Sequence, residues 1–389
     1  MEYNFKYLNR KKTDSIKWKI AQNLCDSEDC FDFSIADSDY ETAPEIKKAM
    51  IERITHGAFG YISIGDDYKK ILIDFYNKHY GLNISENQII PIPRVMNGIS
   101  VILDLFLEKK DSVIIQTPVY PAFRHVIEAN GLLCITNELI ELEDTYEMNY
   151  LDLEDKFKNR IKTLIICNPH NPVGRVWRYK ELEKLINLAK KYDVLIISDE
   201  IHADIIMPGY EFVSLANFFS EYQNIIILNA PSKTFNLAGL QLANLLTPKE
   251  YLLKKITFEY ERLHLSTPNL MALVAMEAAY KQGRKWLLAQ REHVYGNYLL
   301  LKSKLEDFKL KVFKLEGTYL VWIKIEFDNI DSTILYELLM KSRVIVSDGK
   351  KFESNGSFIR FNLACSREQL QVGLNIIIDC LKKIKTTEK

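Results

Sequence analysis

Four short stretches of the chain are apolar on successive residues: SVIIQ (112–116), TLIIC (163–167), VLIIS (194–198) and NIIIL (224–228). A strand with one wet face alternates apolar and polar residues, so unbroken runs of this kind need cover on both faces. Helical periods lie between them. In YKELEKLINLAKKYD, residues Leu182, Leu185, Ile186 and Ala189 fall on one stripe. PEIKKAMIERITHG places Pro44 in its expected first turn and Gly57 just past its expected end. Strands alternating with helices predict an α/β fold, with a mostly parallel central sheet and helices on both faces.

At 389 residues the chain exceeds what one core usually holds, so two domains are expected. The pattern changes after about residue 248. Long helical segments over 248–281 and 286–308 lead into TYLVWIKIEF, a helix near 332–342, RVIVSD, SFIRFNLA and a last helix. This reads as a smaller α+β unit, against which the N-terminal segment is expected to pack. The closing KKIKTTEK is expected to be a frayed tail.

Hydrophobic residues make up 47% and charged residues 26%, an ordinary globular balance. A net charge of -1 gives no electrostatic footprint for nucleic acid or an anionic membrane. The N-terminus is charged throughout, without a signal-peptide core, and no stretch reaches the roughly 18 apolar residues of a membrane span. A cytoplasmic protein is expected. None of the six cysteines forms a CxxC pair, which favours reduced thiols over a disulfide framework. Seven scattered histidines without HExxH argue against a metal site. GxSxG and GxxxxGK[ST] are both absent.

Chemistry-bearing residues follow the apolar runs. TLIIC leads into NPHNPVG, VLIIS into Asp199, Glu200, Ile201 and His202, and NIIIL into NAPSK with Lys233. Ligands of open α/β sheets bind beyond the carboxyl ends of the strands. A lysine there, partly desolvated, is a nucleophile suited to a Schiff base, notably with pyridoxal phosphate. That cofactor needs a carboxylate for its ring nitrogen, amides for its phosphate and a platform for its ring. Asp199 suits the nitrogen. MNGISVILDLFL reads as a helix starting at a glycine, offering the amides of Gly98, Ile99 and Ser100, with the Ser232 hydroxyl as an addition. Tyr120, in QTPVYPAF, could stack on the ring. Each signal alone also fits a bland reading: a solvated lysine, a helix cap, an ordinary helix start, a packed tyrosine. His202 fits the site or a satisfied core position equally. The order of these residues at successive strand ends is what points to a site.

At these residues the chain resembles fold-type I pyridoxal-phosphate enzymes of the class I/II aminotransferase superfamily. It is most similar to the MalY/PatB group of cystathionine β-lyases, or cysteine-S-conjugate β-lyases. The resemblance runs through SIKWK, ADSDY, HGAFGY, IIQTPVYPAF, CNPHNPVGRVW, SDEIHADI, NAPSKTFNLAGLQ, EGTYLVW, SDGKKF and IRFNLACSR. It implies that Lys233 carries the cofactor, Asp199 pairs with the ring nitrogen, and Asn171 hydrogen-bonds the phenolic oxygen. Tyr120 stacks on the ring, Arg360 grips the substrate α-carboxylate, and Ala36 and Asp37 lie at the substrate. Tyr61 reaches the phosphate of the neighbouring subunit, so a homodimer with shared sites is implied. The implied large domain is 46–284, and the small domain combines 1–45 with 285–389.

The phosphate-binding arginine of many aminotransferases is Gln241 here, and a tyrosine of the wider superfamily is His202; both match the lyase group. Ser38 and Tyr40 depart from the lyases, replacing methionine and phenylalanine near the expected substrate entry. The implied activity is elimination from an L-cysteine thioether, giving pyruvate, ammonia and a thiol, with Lys233 as the base. Tyr120 or Tyr61 could assist the leaving group. The alternatives are an aminotransferase and a lyase-like protein with a regulatory binding role.

Overall fold

The four apolar runs become strands of one seven-stranded sheet in a computed structural model that describes residues 3–25, 27, 29–65, 67–328 and 330–387. Its strands are β1 (Ile89–Ile92), β2 (Ser112–Thr117), β3 (Leu133–Glu138), β4 (Thr163–Cys167), β5 (Leu195–Asp199), β6 (Ile225–Asn229) and β7 (Ala243–Leu246). The spatial order is β1-β7-β6-β5-β4-β2-β3. Strands β2 to β6 pair in parallel, and β7 runs antiparallel to both β6 and β1. The reason for the unbroken apolar runs is visible in the packing. Leu164, Ile166, Ile196, Ile225 and Ile227 join one core layer. Ile165, Cys167, Ile197, Ile226 and Leu228 join another on the opposite face.

The helices used below are α1 (Ile16–Cys25), α2 (Pro44–His56), α3 (Val95–Phe106), α4 (Tyr179–Tyr192), α5 (Pro231–Thr234), α6 (Glu250–Arg262), α7 (Leu270–Gln282), α8 (Arg284–Leu305), α9 (Ser332–Lys341) and α10 (Arg367–Thr387). Helix α4 buries Leu182, Leu185, Ile186 and Ala189, the stripe expected from its period. Helix α2 begins at Pro44 and ends on Gly57 at φ 79°, a left-handed turn that a side chain would strain. The segment expected as one helix over 248–281 is two, α6 and α7. Pro268 lacks the amide that a continuing helix needs, and Asn269 caps α7 by accepting from the Met271 amide at 2.8 Å. The expected frayed tail is helical instead: α10 continues to Thr387, and Glu388 and Lys389 lie outside the described residues. No helix among the described residues is long and apolar enough to cross a membrane.

A second, antiparallel sheet has the order β8 (Leu310–Val312), β9 (Leu320–Ile325), β11 (Phe358–Asn362), β10 (Ser347–Asp348). RVIVSD divides between two partners. Ser347 and Asp348 pair with β11, whereas Val344 and Ile345 pair in parallel with Phe31 and Asp32. The strap that follows Asp32 is fixed to β11, since the Asn362 amide donates to the Ile35 carbonyl at 2.6 Å and the Asp37 carbonyl at 2.8 Å. Its far end is held by charge. Lys17 and Asp39 are both buried and meet at 2.7 Å, and the Trp18 indole donates to Asp39 at 3.1 Å. SIKWK and ADSDY are therefore two halves of one buried cluster.

Helix α3 starts three residues before Gly98. Gly98 sits against the sheet, and a Cβ there would lie 2.6 Å from Ile92 Cδ1 and 2.7 Å from Leu228 Cδ2. Gly98→Val should therefore cost about 1–3 kcal/mol through overpacking, measured as a fall in the urea midpoint without a change in slope.

Candidate active site

The parallel ladder sets the site. Cys167 lies opposite Asp199, and Asp199 opposite Leu228, so β4, β5 and β6 end on one rim. The chain leaving these strands delivers Asn171, Asp199 with His202, and Ser232 with Lys233 to a cleft of about 960 Å³. Tyr120, Ala36, Asp37, Gln241 and Arg360 line the same cleft.

Lys233 sits on the one-turn helix α5, started by Pro231 directly after β6. It is half-buried, and its Nζ donates to the Ala36 carbonyl at 2.6 Å. Burial lowers its pKa and the Arg360 charge adds to that; Asp37 and Asp199 oppose it. A lysine held this way has more free amine than a solvated one. Asp199 is buried, which pushes its carboxyl up to about 6 against the pull of the Ile201 amide and Lys233. The Ile201 amide donates to it at 3.0 Å.

Arg360 reaches the cleft from β11. It is buried, and its guanidinium stacks 4.6 Å from the Phe352 ring centroid. Nη1 donates to Asn171 Oδ1 at 2.9 Å, and Nη2 to the Ser34 carbonyl at 2.7 Å and Ser347 Oγ at 3.3 Å. Its Nε is buried without a partner, and among the described residues no carboxylate pairs with it. Burial pushes its pKa down to about 10. A cation so placed is disposed to take an anion.

Neighbouring residues fix the loops. His170 Nε2 lies 2.9 Å from the Pro118 carbonyl; a carbonyl only accepts, so Nε2 carries the proton. This ties the Asn171 loop to the Tyr120 loop. Tyr120 is 38% exposed and lines the cleft. His202 is buried, packs edge-on to Tyr319, and has an unpartnered Nδ1. Burial pushes its pKa well down, and the Lys233 and Arg360 charges push the same way.

Two expectations need correction. The Gly98, Ile99 and Ser100 amides are not at the helix start: α3 begins at Val95, and the Gly98 amide already donates to the Arg94 carbonyl at 2.9 Å. Ile99 is core, and Ser100 Oγ accepts from Asn130 at 3.1 Å. The amides without intrahelical partners belong to Val95, Met96 and Asn97, and Arg94, Val95 and Met96 line the cleft. Ser38 and Tyr40 are not at the substrate entry. Both are buried, and Tyr40 packs in an aromatic cluster with Phe5, Trp286 and His293. Tyr61, expected to serve a neighbouring subunit and not its own, is fully exposed on the single chain and lines no part of this cleft.

Sequence reasoning missed Arg10, which grips Asp37 through two bonds of 2.8 and 2.9 Å. It also missed α1, whose Ile16, Ile20 and Leu24 line the cleft at helical spacing. The set of an amine, a buried acid, free helix-terminal amides and an anion-seeking arginine fits pyridoxal phosphate together with an amino acid.

The description "Aminotransferase class I and II" matches residues 28–377. The chain is 33% identical to the cystathionine β-lyase PatB of Bacillus subtilis, over 95% of this chain and 97% of the relative. It is 28% identical to the protein MalY of Escherichia coli, over 98% and 99%. Among solved structures, cystalysin of Treponema denticola, which contains pyridoxal 5'-phosphate, aligns with a TM-score of 0.95 at 29% identity over 99% and 100%. The pyridoxal-phosphate-bound C–S lyase of Staphylococcus hominis aligns at 0.91 and 29% over 98% of each chain.

Because the folded Asp199 pKa is about 6 against roughly 3.9 when unfolded, protonation favours the fold. That stabilisation is complete below about pH 4 and is lost as pH rises through about 6. In protein stripped of any ligand, Asp199→Asn should raise stability at pH 8 by about 3 kcal/mol, the gain vanishing near pH 4 in thermal unfolding.

Proposed function

The chain belongs to the aminotransferase class I and II family, and on that premise we propose that it is a pyridoxal-phosphate-dependent carbon–sulfur β-lyase. It cleaves L-cystathionine or a related L-cysteine S-conjugate to pyruvate, ammonia and a free thiol, which is homocysteine from cystathionine. The observation that carries the reading is Arg360, a buried guanidinium without a carboxylate partner among the described residues, on the rim that holds Lys233. Support comes also from the relatives, named as cystathionine β-lyases and C–S lyases along nearly their whole length.

Bound in this cleft, pyridoxal phosphate supplies an aldehyde that condenses with amines and a ring that accepts the electron pair left at Cα. The residues then divide the work. Arg360 holds the substrate α-carboxylate with its planar fork, a geometry that lysine cannot reproduce. Asp199 keeps a proton on the ring nitrogen, and Asn171 donates to the phenolic oxygen. Tyr120 covers one ring face. Val95, Met96 and Asn97 offer amides to the phosphate, with the Ser232 hydroxyl beside them. Lys233, as the free amine, would take the Cα proton. The C–S bond then breaks, the thiolate leaves with the electron pair and takes up a proton, and 2-aminoacrylate hydrolyses to pyruvate and ammonia. His202 stays neutral beside Lys233 and Arg360, adding no positive charge there.

The reading includes a homodimer in which Tyr61, fully exposed on one chain, serves the phosphate of the neighbouring site. It places the cofactor in a unit of residues 46–284, with 1–45 and 285–389 forming the smaller one. The Phe31–Asp32 pairing with Val344–Ile345 supports that division. A cytoplasmic setting is supported by six free cysteines.

The test is release of pyruvate and thiol from L-cystathionine and S-alkyl-L-cysteines. Lys233→Ala should abolish it, and Arg360→Lys should lower kcat/KM by at least about tenfold. Formation of glutamate dependent on a keto-acid acceptor, without pyruvate, would instead make the protein an aminotransferase.

A further inference from the structure

The lyase reading leaves open what the sulfur carries, and α1 bears on that. Its two faces have different partners. Lys17, Trp18 and Ala21 are buried, with Trp18 and Ala21 packing beside Cys30 and Ile345. Ile16, Ile20 and Leu24 lie on another stripe, spaced i, i+4 and i+8, within about 80° of arc. They are 71%, 43% and 41% exposed, yet all three line the active-site cleft. Tyr336 of α9 continues this wall. The helix already has its core, so the second stripe needs another explanation.

Charges elsewhere in the cleft sharpen the point. The carboxylates that line it are Asp14, Asp37 and Asp199. Asp37 is held by both terminal nitrogens of Arg10, and Asp14 meets Lys19 at 2.6 Å in solvent. Asp199 sits at the strand-end rim. Among the described residues, therefore, no unpaired carboxylate lines the cleft beside α1. A distal ammonium, such as cystathionine carries, would lose water there without gaining a partner. Lys351, 5.8 Å from the Tyr336 ring centroid, could answer only the distal carboxylate.

We infer that the preferred substrate is an L-cysteine thioether whose S-substituent is an apolar alkyl or aryl group, seated on Ile16, Ile20 and Leu24 of α1. This rests on the lyase reading and deepens it. The strap geometry supports it: Lys17, next to Ile16, is locked to Asp39, so the stripe is presented by a fixed helix.

The test uses the holoenzyme with S-benzyl-L-cysteine, L-cystathionine and L-β-chloroalanine, each read as pyruvate. The chloride leaving group of the last is too short to reach α1. Expected is a kcat/KM for the benzyl thioether at least about tenfold above that for cystathionine. Ile20→Asp should lower the ratio of benzyl thioether to chloroalanine by about tenfold or more, and Ile20→Leu should keep it. Chloroalanine turnover reports that each variant is folded and loaded. Cystathionine matching or exceeding the benzyl thioether would overturn the inference while leaving the lyase reading intact. So would an Ile20→Asp variant that lowers both substrates alike and converts a dimer to monomer by light scattering, because the stripe is then a subunit contact. Absence of pyruvate from all three substrates would overturn the lyase reading and this inference with it.

Discussion

The parallel hydrogen-bond ladder joining β4, β5 and β6 is the constraint on which everything else depends. It puts Cys167, Asp199 and Leu228 side by side, so three loops far apart in sequence must leave the sheet together. The runs that build it are apolar on successive residues because core layers cover both faces. Polar groups have no place inside such strands and gather where the strands end. That is why an asparagine, an aspartate and a lysine share one rim.

The rim is electrically unfinished, and the rest of the fold keeps it so. Lys233 is held by a carbonyl rather than a carboxylate. Arg360 meets an amide oxygen, a carbonyl and a hydroxyl. The acid nearest in sequence to the Ala36 carbonyl, Asp37, is taken by Arg10, and Asp39 by Lys17 and Trp18. Each of these side chains is paired in a way that leaves the substrate's carboxylate as the natural partner of Arg360. Breaking a buried pair such as Lys17–Asp39 would strand a charge, at a cost on the order of 3–5 kcal/mol. The N-terminal strap is thus a structural wall of the site.

Much of this was legible in the chain itself. The apolar runs, the α2 boundaries and the α4 stripe follow from period and from Pro and Gly, which act locally. Lys233, Asp199 and Tyr120 were found because strand ends are where ligands bind. What escaped depends on contacts distant in sequence. Gly98 looked like a helix start, but it is a glycine because Ile92 and Leu228 crowd it; the true start at Val95 has no capping side chain to announce it. Tyr40 gave no sign that it would sit among Phe5, Trp286 and His293. The stripe of Ile16, Ile20 and Leu24 escaped as well, because nothing local says that such a spacing faces a cleft rather than a core. Arg10 was one basic residue in a charged N-terminus until its two bonds to Asp37 set it apart.

The central claim is that Lys233, and no other lysine, forms the covalent link to the aldehyde cofactor. The most direct measurement is borohydride reduction of protein incubated with pyridoxal phosphate, followed by mass mapping of proteolytic peptides. The account predicts one stable pyridoxyl adduct per chain, on the peptide carrying NAPSKTFNLAGL. An adduct confined to another lysine, or a chain that takes up none, would contradict it.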